Sequence, residues 1–396
     1  MYSLSDYDYD LPQELIAQDL ASPADNAKLL VYDKSTWTIK DSIFHELPSL
    51  IQEWSHFFFN TSKVVKARIP IPKFDGEIFF LEQHTDEYTF DALVRPWKKM
   101  KVWTIVPVWD YIFEIVGMTE QWRVVRCSHP IFEVLEAIWQ MPLPPYIWYD
   151  ESKSDSYQPL QAKQPWSVAA PTASLHFTPQ TYSDLKNMQC SINEVVLHIW
   201  LGTFKQVDTE SIQDYDIHSE KAEVWWDIFR KIMTIKQSWK PLVAVGTTVT
   251  RTLETLPYVR KELQKSNQAL ECFDQETKEY WDTITKSISE EKAQWFVKSW
   301  SLKGEWTIRN DTNQWWYIVH PTILSSNITF ESALYIYPWF DFLIIDQLIT
   351  NFHLPKSSLL MLVAGFIWFE NMKKIYEHAI AKKYMFYSFW DAMLIK

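Results

Sequence analysis

The sequence predicts an α+β protein in which a small β-barrel domain is inserted into a main α+β domain. Between residues 61 and 150, short apolar runs alternate with turn residues at close spacing, a pattern typical of a small barrel. On either side, runs with helical periodicity alternate with short runs of β-branched and apolar residues. We therefore expect residues 1–60 and 151–396 to form the main domain and residues 61–150 to form the barrel. At 396 residues, the chain is long enough for two domains.

The same patterns predict the elements in order along the chain. In the first part of the main domain we expect a helix at 13–18, a strand at 29–32, a turn at Trp37 followed by a second strand, and a helix at 47–52. From residue 56 we expect short strands at 57–59, 64–65, 78–81, 88–94, 102–108, 111–116 and 124–125, then a helix at 130–140. After a polar loop at 151–163, we expect helices at 178–190 and 224–238, strands at 195–199, 242–245, 333–337 and 342–345, and helices that begin at Ser357 and Asn371. Residues 265–320 carry little pattern.

The charge of the chain limits the kind of nucleic-acid contact it can make. A net charge of −12 argues against a generally basic nucleic-acid-binding protein. Two local groups of basic residues are present, and both solvated loops and phosphate contacts remain open for each of them. The first group is Lys63, Lys66, Arg68 and Lys73, and the second is Arg95, Lys98, Lys99 and Lys101.

The cysteines and the apolar runs bear on the compartment. Cys127, Cys190 and Cys272 are far apart and lack the paired spacing of zinc sites and disulfide frameworks, so we expect a reducing cytoplasm and no metal. The first ten residues are acidic and polar, unlike a signal peptide. The longest apolar run, residues 359–369, is too short to span a bilayer, so we expect no membrane contact.

Two histidines lie within the stretch from residue 168 to residue 204. His176 follows the run VAAPTASL, and His198 lies near the end of a predicted strand. Gly202 then allows the backbone to approach a ligand closely. For either histidine alone, a place in the core remains an open interpretation.

A strand-to-helix turn is predicted at Gly246-Thr247-Thr248, ahead of a helix that carries Arg251. Free backbone amides at such a turn bind a phosphate or a carboxylate. A threonine there also serves as an ordinary helix cap, and the residues alone leave both interpretations open.

These segments resemble the S-adenosylmethionine:tRNA ribosyltransferase-isomerase family, which acts in queuosine synthesis. The resemblance covers nearly the whole chain. The matching motifs are residues 59–68 (FNTSKVVKAR), 141–147 (MPLPPYI), 168–177 (VAAPTASLHF), 197–198 (LH), 218–220 (HSE), 244–248 (AVGTT) with Arg251, 350–355 (TNFHLP) and 390–394 (WDAML).

The resemblance implies transfer of the ribosyl group of S-adenosylmethionine to 7-aminomethyl-7-deazaguanine in tRNA. The ribose is rearranged to the epoxycyclopentane of epoxyqueuosine, and adenine and methionine are released. The partners it implies are S-adenosylmethionine as ribosyl donor and tRNA carrying that wobble base, and we expect a monomer without metal. The catalytic residues it implies are His176, His198, His218, His353, Glu220 and Asp391. The substrate-binding residues it implies are Lys63, Lys66, Arg68, Thr172, Gly202, Thr203, Gly246, Thr247, Thr248, Arg251 and Asn351.

The residue types suit this chemistry. Carbon–hydrogen bonds beside a sulfonium are acidified, and adenine leaves more easily when protonated, so histidine fits both the base and the acid. Two alternatives remain open: a tRNA-binding protein without catalysis, and another S-adenosylmethionine-dependent RNA-modifying enzyme such as a methyltransferase.

Tryptophan stands where the family carries glycine. The chain has 22 tryptophans and 6 glycines, and their sum is close to the roughly 7% of residues that glycine usually contributes. We hypothesise that the reading frame uses UGA as a glycine codon and was translated with UGA as tryptophan; the alternative is a protein genuinely rich in tryptophan. The family glycine positions are Trp54, Trp97, Trp103, Trp139, Trp166, Trp200, Trp339 and Trp390. Further turn positions where glycine is expected are Trp37, Trp109, Trp122 and Trp368.

Overall fold

A computed structural model describes residues 3–65, 67–119, 122–138, 140, 153–199, 207–265, 273–302, 307–308, 318–319, 327–387, 389 and 391–396. The chain forms two compact units. Unit 1 comprises Met1–Lys63 and Ser156–Lys396, and unit 2 comprises Val64–Asp155. The predicted α+β class with a small barrel-like all-β region is confirmed.

The strands are β1 (Lys28–Asp33), β2 (Thr38–Ile43), β3 (His56–Asn60), β4 (Ser62–Val64), β5 (Arg68–Ile71), β6 (Gly76–Gln83), β7 (Thr89–Arg95), β8 (Ile105–Val108), β9 (Tyr111–Met118), β10 (Arg123–Cys127), β11 (Gln164–Ser167), β12 (Ser191–Leu197), β13 (Glu220–Trp225), β14 (Leu242–Val245), β15 (Val297–Leu302), β16 (Thr307–Ile308), β17 (Ile318–Val319), β18 (Asn327–Ser332), β19 (Gln347–Asn351) and β20 (Ala392–Ile395). The helices are α1 (Leu47–Leu50), α2 (Ile131–Ile138), α3 (Lys153–Ser156), α4 (Pro179–Asn187), α5 (Asp227–Gln237), α6 (Thr247–Leu263), α7 (Gln275–Thr285), α8 (Glu290–Phe296), α9 (Ser358–Ile367) and α10 (Phe369–Ala381).

Unit 1 is built, within its described residues, on a ten-stranded sheet in the order β15-β18-β13-β12-β3-β14-β19-β20-β1-β2. Four neighbouring strands in its middle, β12, β3, β14 and β19, are parallel. Strand β14 is buried throughout, and Phe57, Phe58 and Phe59 of β3 are fully buried, as expected for parallel strands covered on both faces. Because the four strands run in one direction, their carboxyl ends lie at one edge of the sheet, which we call the carboxyl edge.

Unit 2 contains, in its described part, a six-stranded antiparallel sheet in the order β5-β6-β7-β10-β9-β8. Alternate residues of β7, namely Phe90, Ala92 and Val94, are buried, which is the period expected of a strand with one face on a core. Gly76 at the start of β6 is required by space, because a Cβ there would lie 2.2 Å from the carbonyl oxygen of Arg95.

Several predicted elements differ from the structure. The predicted strands at 333–337 and 342–345 are wrong; the strands lie beside them, in β18 and β19. The backbone amides of Leu343, Ile344 and Ile345 donate to the carboxylate of Glu254 in α6, so they are not available to a neighbouring strand. The first residues of the predicted helix at 224–238 belong to β13, and the predicted helix at 13–18 is a 3-10 turn of Gln13–Leu15. Strand β3, predicted among the short strands that lead into the barrel, belongs to the large sheet.

Tryptophans occupy backbone conformations that favour glycine. Twelve non-glycine residues of the described chain have a positive φ, and seven of them are tryptophans, far more than the share of tryptophan in the sequence would give. The seven have φ between 49° and 73°, and between 51% and 91% of each is exposed. They are Trp37, Trp54, Trp103, Trp109, Trp239, Trp339 and Trp368. Trp368, with φ 69° and ψ 148°, lies close to a region populated almost only by glycine.

Six of these seven are positions where the sequence predicts glycine, and the seventh, Trp239, was not predicted. Trp97 and Trp122 do not have a positive φ, and Trp166 lies in β11. Trp139, Trp200 and Trp390 lie outside the described residues. By contrast, Trp281 in α7 is fully buried and its Nε1–H donates to the carbonyl oxygen of Phe229 at 3.0 Å, as expected of a genuine tryptophan.

Candidate active site

A segment of residues 163–176 crosses the carboxyl edge and contacts the ends of all four parallel strands. The amides of Lys163 and Gln164 donate to the carbonyl oxygen of Thr61, just after β3, at 2.8 and 3.0 Å. The amide of Val168 donates to the carbonyl oxygen of Ile199, just after β12, at 3.0 Å. Further on, Ala173 lies opposite Gly246 after β14, and Thr172 and His176 reach Asn351 at the end of β19. Ligands of open α/β sheets bind at such an edge.

Asn351 links Thr172 to His176. The Thr172 hydroxyl donates to Oδ1 of Asn351 at 2.9 Å, and Nδ2 of Asn351 lies 3.1 Å from Nε2 of His176. Because the amide oxygen accepts from Thr172, the amide nitrogen is left to donate to Nε2, which places the ring proton of His176 on Nδ1. His176 is fully buried, and its ring centre lies 5.1 Å from that of Phe44. His176 therefore lies beneath the carboxyl edge and anchors the crossing segment.

Helix α6 begins at the carboxyl edge with the Gly-Thr-Thr turn. Gly246 has a φ of 97°, a conformation that residues with side chains rarely adopt, and its amide donates to Ile349 at 2.7 Å. The first helical bond runs from Thr250 to Gly246, so the amides of the three residues between them precede it. The N-cap residue is Gly246, which has no side chain to cap these amides. The positive end of a 17-residue helix at this edge suits a carboxylate or a phosphate.

Glu220 and Arg251 form a buried ion pair next to this helix end. The Glu220 carboxylate accepts from Nη1 of Arg251, and Nε of Arg251 donates to the carbonyl oxygen of Leu334 at 3.1 Å. The two side chains are 3% and 6% exposed, so each charge depends on the other for compensation. The catalytic role predicted for Glu220 and the substrate contact predicted for Arg251 stay predictions. His218, two residues before Glu220, is exposed.

His198 and His353 follow two of the parallel strands and differ in environment. His198 comes directly after β12, is partly exposed, and its amide donates to the carbonyl oxygen of Lys221 in β13 at 2.9 Å. The ring of His353 has Nε2 at 3.0 Å from the Thr350 hydroxyl, and its amide donates to the Tyr376 hydroxyl at 2.9 Å. Burial lowers the pKa of His353 to about 3, so its imidazole is neutral at neutral pH.

Asp391 lies at the same edge, directly before β20, where Ala392 pairs with Asn351. Its two carboxylate oxygens accept the amides of Lys28 at 2.6 Å and Met385 at 2.7 Å. Burial raises the pKa of Asp391. Its carboxylate thus fixes the start of β1, and its predicted catalytic role stays a prediction.

Of the basic residues predicted to bind substrate, the structure describes Lys63 and Arg68. Arg68 in unit 2 has Nε at 2.5 Å from Oε2 of Glu77, and Lys63 is exposed. Lys66, Gly202 and Thr203 lie outside the described residues.

Asn60 is a residue of the site that the sequence did not single out. It is fully buried at the end of β3, where its Oδ1 accepts the amide of Leu197 at 3.1 Å and its Nδ2 donates to the carbonyl oxygen of Leu197 at 3.0 Å. Both bonds fix the strand end that carries His198. The signal was an asparagine directly after the apolar run of residues 57–59, inside a matching motif.

The described residues hold neither a metal-binding cluster nor a membrane-spanning helix. No group of three or more His, Cys, Asp or Glu side chains there is arranged to hold a metal ion. In the same residues, no helix has the length and apolarity needed to cross a membrane.

Comparisons with known proteins agree over the whole chain. The sequence profile of a family described as queuosine biosynthesis protein matches residues 4–283 and 314–395. A protein of Desulfitobacterium hafniense is 32% identical over 401 residues, and one of Carboxydothermus hydrogenoformans is 34% identical over 398 residues; each match covers 99% of both chains. Both relatives are named S-adenosylmethionine:tRNA ribosyltransferase-isomerase. A crystal structure of S-adenosylmethionine tRNA ribosyltransferase from Thermotoga maritima is 27% identical, covers 99% of this chain and 100% of its own, and has a TM-score of 0.48.

Proposed function

The chain belongs to the queuosine biosynthesis protein family, and on that premise we propose that it is an S-adenosylmethionine:tRNA ribosyltransferase-isomerase. It transfers the ribosyl group of S-adenosylmethionine to 7-aminomethyl-7-deazaguanine in tRNA and isomerises it, giving epoxyqueuosine and releasing adenine and methionine. The proposal rests on one observation at the carboxyl edge: Thr172 bonds to Asn351, and the adjacent Ala173 lies opposite Gly246. All of these residues belong to the motifs on which the family resemblance rests.

The start of α6 is the proposed site for the anionic part of the cofactor-like substrate. S-adenosylmethionine carries a carboxylate, and the amides of Thr247 and Thr248 with the helix dipole provide the matching positive end. The Glu220–Arg251 pair supports this helix end, because Arg251 lies one turn into α6 and its charge is balanced within the fold. We assign this pair to support of the site.

His198 is the proposed acid–base residue. His198 and His353 are both partly exposed at the carboxyl edge, whereas His176 is fully buried; desolvation lowers the pKa of His353 to about 3. A neutral His353 accepts a proton poorly at neutral pH and has no imidazolium proton to give to departing adenine. His198 lies beside the segment that crosses the edge, where Ser167 and Val168 bond to Ile199.

The test is incubation of the protein with S-adenosylmethionine and precursor tRNA, followed by digestion of the tRNA and nucleoside analysis. Epoxyqueuosine together with free adenine is the expected result. S-adenosylhomocysteine in place of adenine would identify a methyltransferase. Bound tRNA with no product of either kind would identify a binding protein without catalysis.

We propose the cytoplasm as the compartment, because the substrate is tRNA, and a monomer as the active form. Light scattering of the active protein at the assay concentration measures the second point directly. A mass twice that of the chain would contradict it.

A further inference from the structure

Unit 2 buries an arginine that no carboxylate balances within the described residues. Arg123 begins β10 and is 2% exposed. Its Nε–H donates to the carbonyl oxygen of Met100 at 2.6 Å, and its guanidinium carbon lies 3.2 Å from the ring centre of Trp97. Its Nη1 has no hydrogen-bond partner among the described residues.

Three other arginines of the chain are paired with carboxylates. Arg68 is bonded to Glu77, and the buried Arg251 and Arg260 are bonded to Glu220 and Asp282. Burying a guanidinium without an opposite charge is unfavourable, because a carbonyl oxygen and an aromatic face compensate only part of the lost hydration. An ion that supplies the missing negative charge would therefore stabilise Arg123.

The surroundings of Arg123 increase the demand for a negative charge. Residues 95–101, which we call the basic segment, contain Arg95, Lys98, Lys99 and Lys101 and no acidic residue. The segment passes over Arg123, because Met100 supplies the bonded carbonyl and Trp97 supplies the ring. Arg95 lies 3.8 Å from the Glu77 carboxylate, whereas Lys98 and Lys101 are exposed. The positive charges repel one another and together attract an anion.

We propose that Arg123 and the basic segment form a phosphate-binding site, which takes a phosphate of the tRNA backbone. Arginine suits this ligand, since its planar fork binds two phosphate oxygens at once. The indole of Trp97 covers one face of the guanidinium, and the buried Nη1 is the donor left without a hydrogen bond. That the phosphate comes from tRNA rests on the proposed function; the phosphate chemistry does not.

The variant Trp97→Gly distinguishes a phosphate-binding Arg123 from a purely structural one. If Arg123 only held the basic segment in place, Trp97→Gly would remove a stacking partner and leave tRNA binding unchanged or weaker. If Arg123 binds phosphate, the same change uncovers the guanidinium and strengthens tRNA binding. Glycine is also the residue that the sequence predicts at position 97.

The experiment measures tRNA affinity of the full chain over a series of salt concentrations. Arg123→Met is compared with Arg126→Met, which removes the same charge from an exposed position on the opposite face of β10. We expect Arg123→Met to weaken binding about tenfold and to reduce the slope of log affinity against log salt by about 0.7–0.9, the value of one lost phosphate contact. Arg126→Met should change both much less, and Trp97→Gly should raise affinity. Equal effects of the two methionine variants, or unchanged or weaker tRNA binding by Trp97→Gly, would overturn the site.

Two further measurements separate the possible failures. Inorganic phosphate should raise the melting temperature of the wild type more than that of Arg123→Met; a rise with phosphate but no Arg123 effect on tRNA binding would assign the site to free phosphate and overturn the RNA source. Adenine release is measured in parallel for every variant. Normal release with no effect of Arg123 on either ligand rejects the site alone, whereas an Arg123-dependent salt slope without any adenine release rejects the proposed function alone. If Arg123→Met does not fold, the test rests on Trp97→Gly, which keeps the arginine: a rise in tRNA affinity supports the site, and an unchanged or lower affinity overturns it.

Discussion

Replacing the seven positive-φ tryptophans by glycine should stabilise the protein. A residue with a side chain in the left-handed region costs roughly 1–2 kcal/mol, and the greater freedom of glycine in the unfolded chain offsets about 0.4–1 kcal/mol of what is regained. The net gain is therefore roughly 0.5–1 kcal/mol per position, or about 4–7 kcal/mol for seven independent positions. That is comparable with the roughly 5–15 kcal/mol that stabilises a typical domain.

Replacing these seven tryptophans by glycine removes little buried apolar surface, because more than half of each tryptophan is exposed. Trp239, which is 91% exposed with a φ of 56°, gives the cleanest single test. Trp239→Gly should raise the free energy of unfolding in urea, whereas Trp239→Ala should not, because alanine keeps the Cβ that causes the strain. Trp281→Gly is the opposite control: the loss of a buried ring, its hydrogen bond and helix propensity should cost about 4–6 kcal/mol.

The refuting results are equally concrete. Trp239→Gly and Trp239→Ala of equal stability would remove the strain argument. Independently, peptide mass spectrometry of the protein from its native source should find glycine at the seven positions and tryptophan at position 281. Tryptophan at all eight would show that the codon hypothesis is wrong.

Three further predictions concern catalysis, pH and RNA. His198→Ala should lower epoxyqueuosine formation by roughly a hundredfold or more while changing stability by less than about 1 kcal/mol. A parallel loss of stability and activity, or an equal effect of the control variant His45→Ala at an exposed position without a predicted role, would contradict its role. Burial raises the pKa of Glu254 from 4.5 to about 7, so the folded state holds that proton more tightly and its contribution to stability, complete below pH 4.5, should decline by about 3 kcal/mol as pH rises to 7. Urea unfolding at several pH values checks this, and an unchanged pH slope in Glu254→Gln would exclude Glu254 as its source. Neutralising Lys63, Lys66 and Arg68 together should weaken tRNA binding and flatten its salt dependence without changing S-adenosylmethionine binding; a salt slope equal to that of the wild type would remove these residues from the RNA interface.

Local sequence patterns predicted the strand ends that form the site. The contacts between distant residues of the site depend on strand pairing, which local patterns do not show. The buried run at 242–245 followed by Gly246-Thr247-Thr248 was readable because a strand, a glycine turn and a helix start are adjacent in sequence. The bond of His176 to Asn351 joins residues 175 positions apart, and the bond of Asp391 to Lys28 joins residues 363 positions apart. A hydrophobic periodicity in the sequence cannot predict such contacts. Their partners depend on the register of β19, β20 and β1.

The same limit explains the wrong strands near residue 343. The apolar run there has the composition of a strand, and only the fold shows that Glu254 takes its amides. Conversely, Trp37, Trp109 and Trp368 could be predicted from local turn patterns, and Trp54, Trp103 and Trp339 from the family resemblance. The sequence still missed Trp239, which follows α5.

The place of β20 in the large sheet has a consequence for the order of folding. Strand β20 lies between β19 and β1, so in the described sheet the β1–β2 hairpin reaches the remaining strands only through residues 392–395. At about 5–20 residues per second of synthesis, the hairpin and its buried residues Leu29, Leu30 and Val31 wait roughly 20–70 s for that partner. During translation the hairpin therefore presents an open strand edge, a template for pairing with other chains, until residues 392–395 have been synthesised.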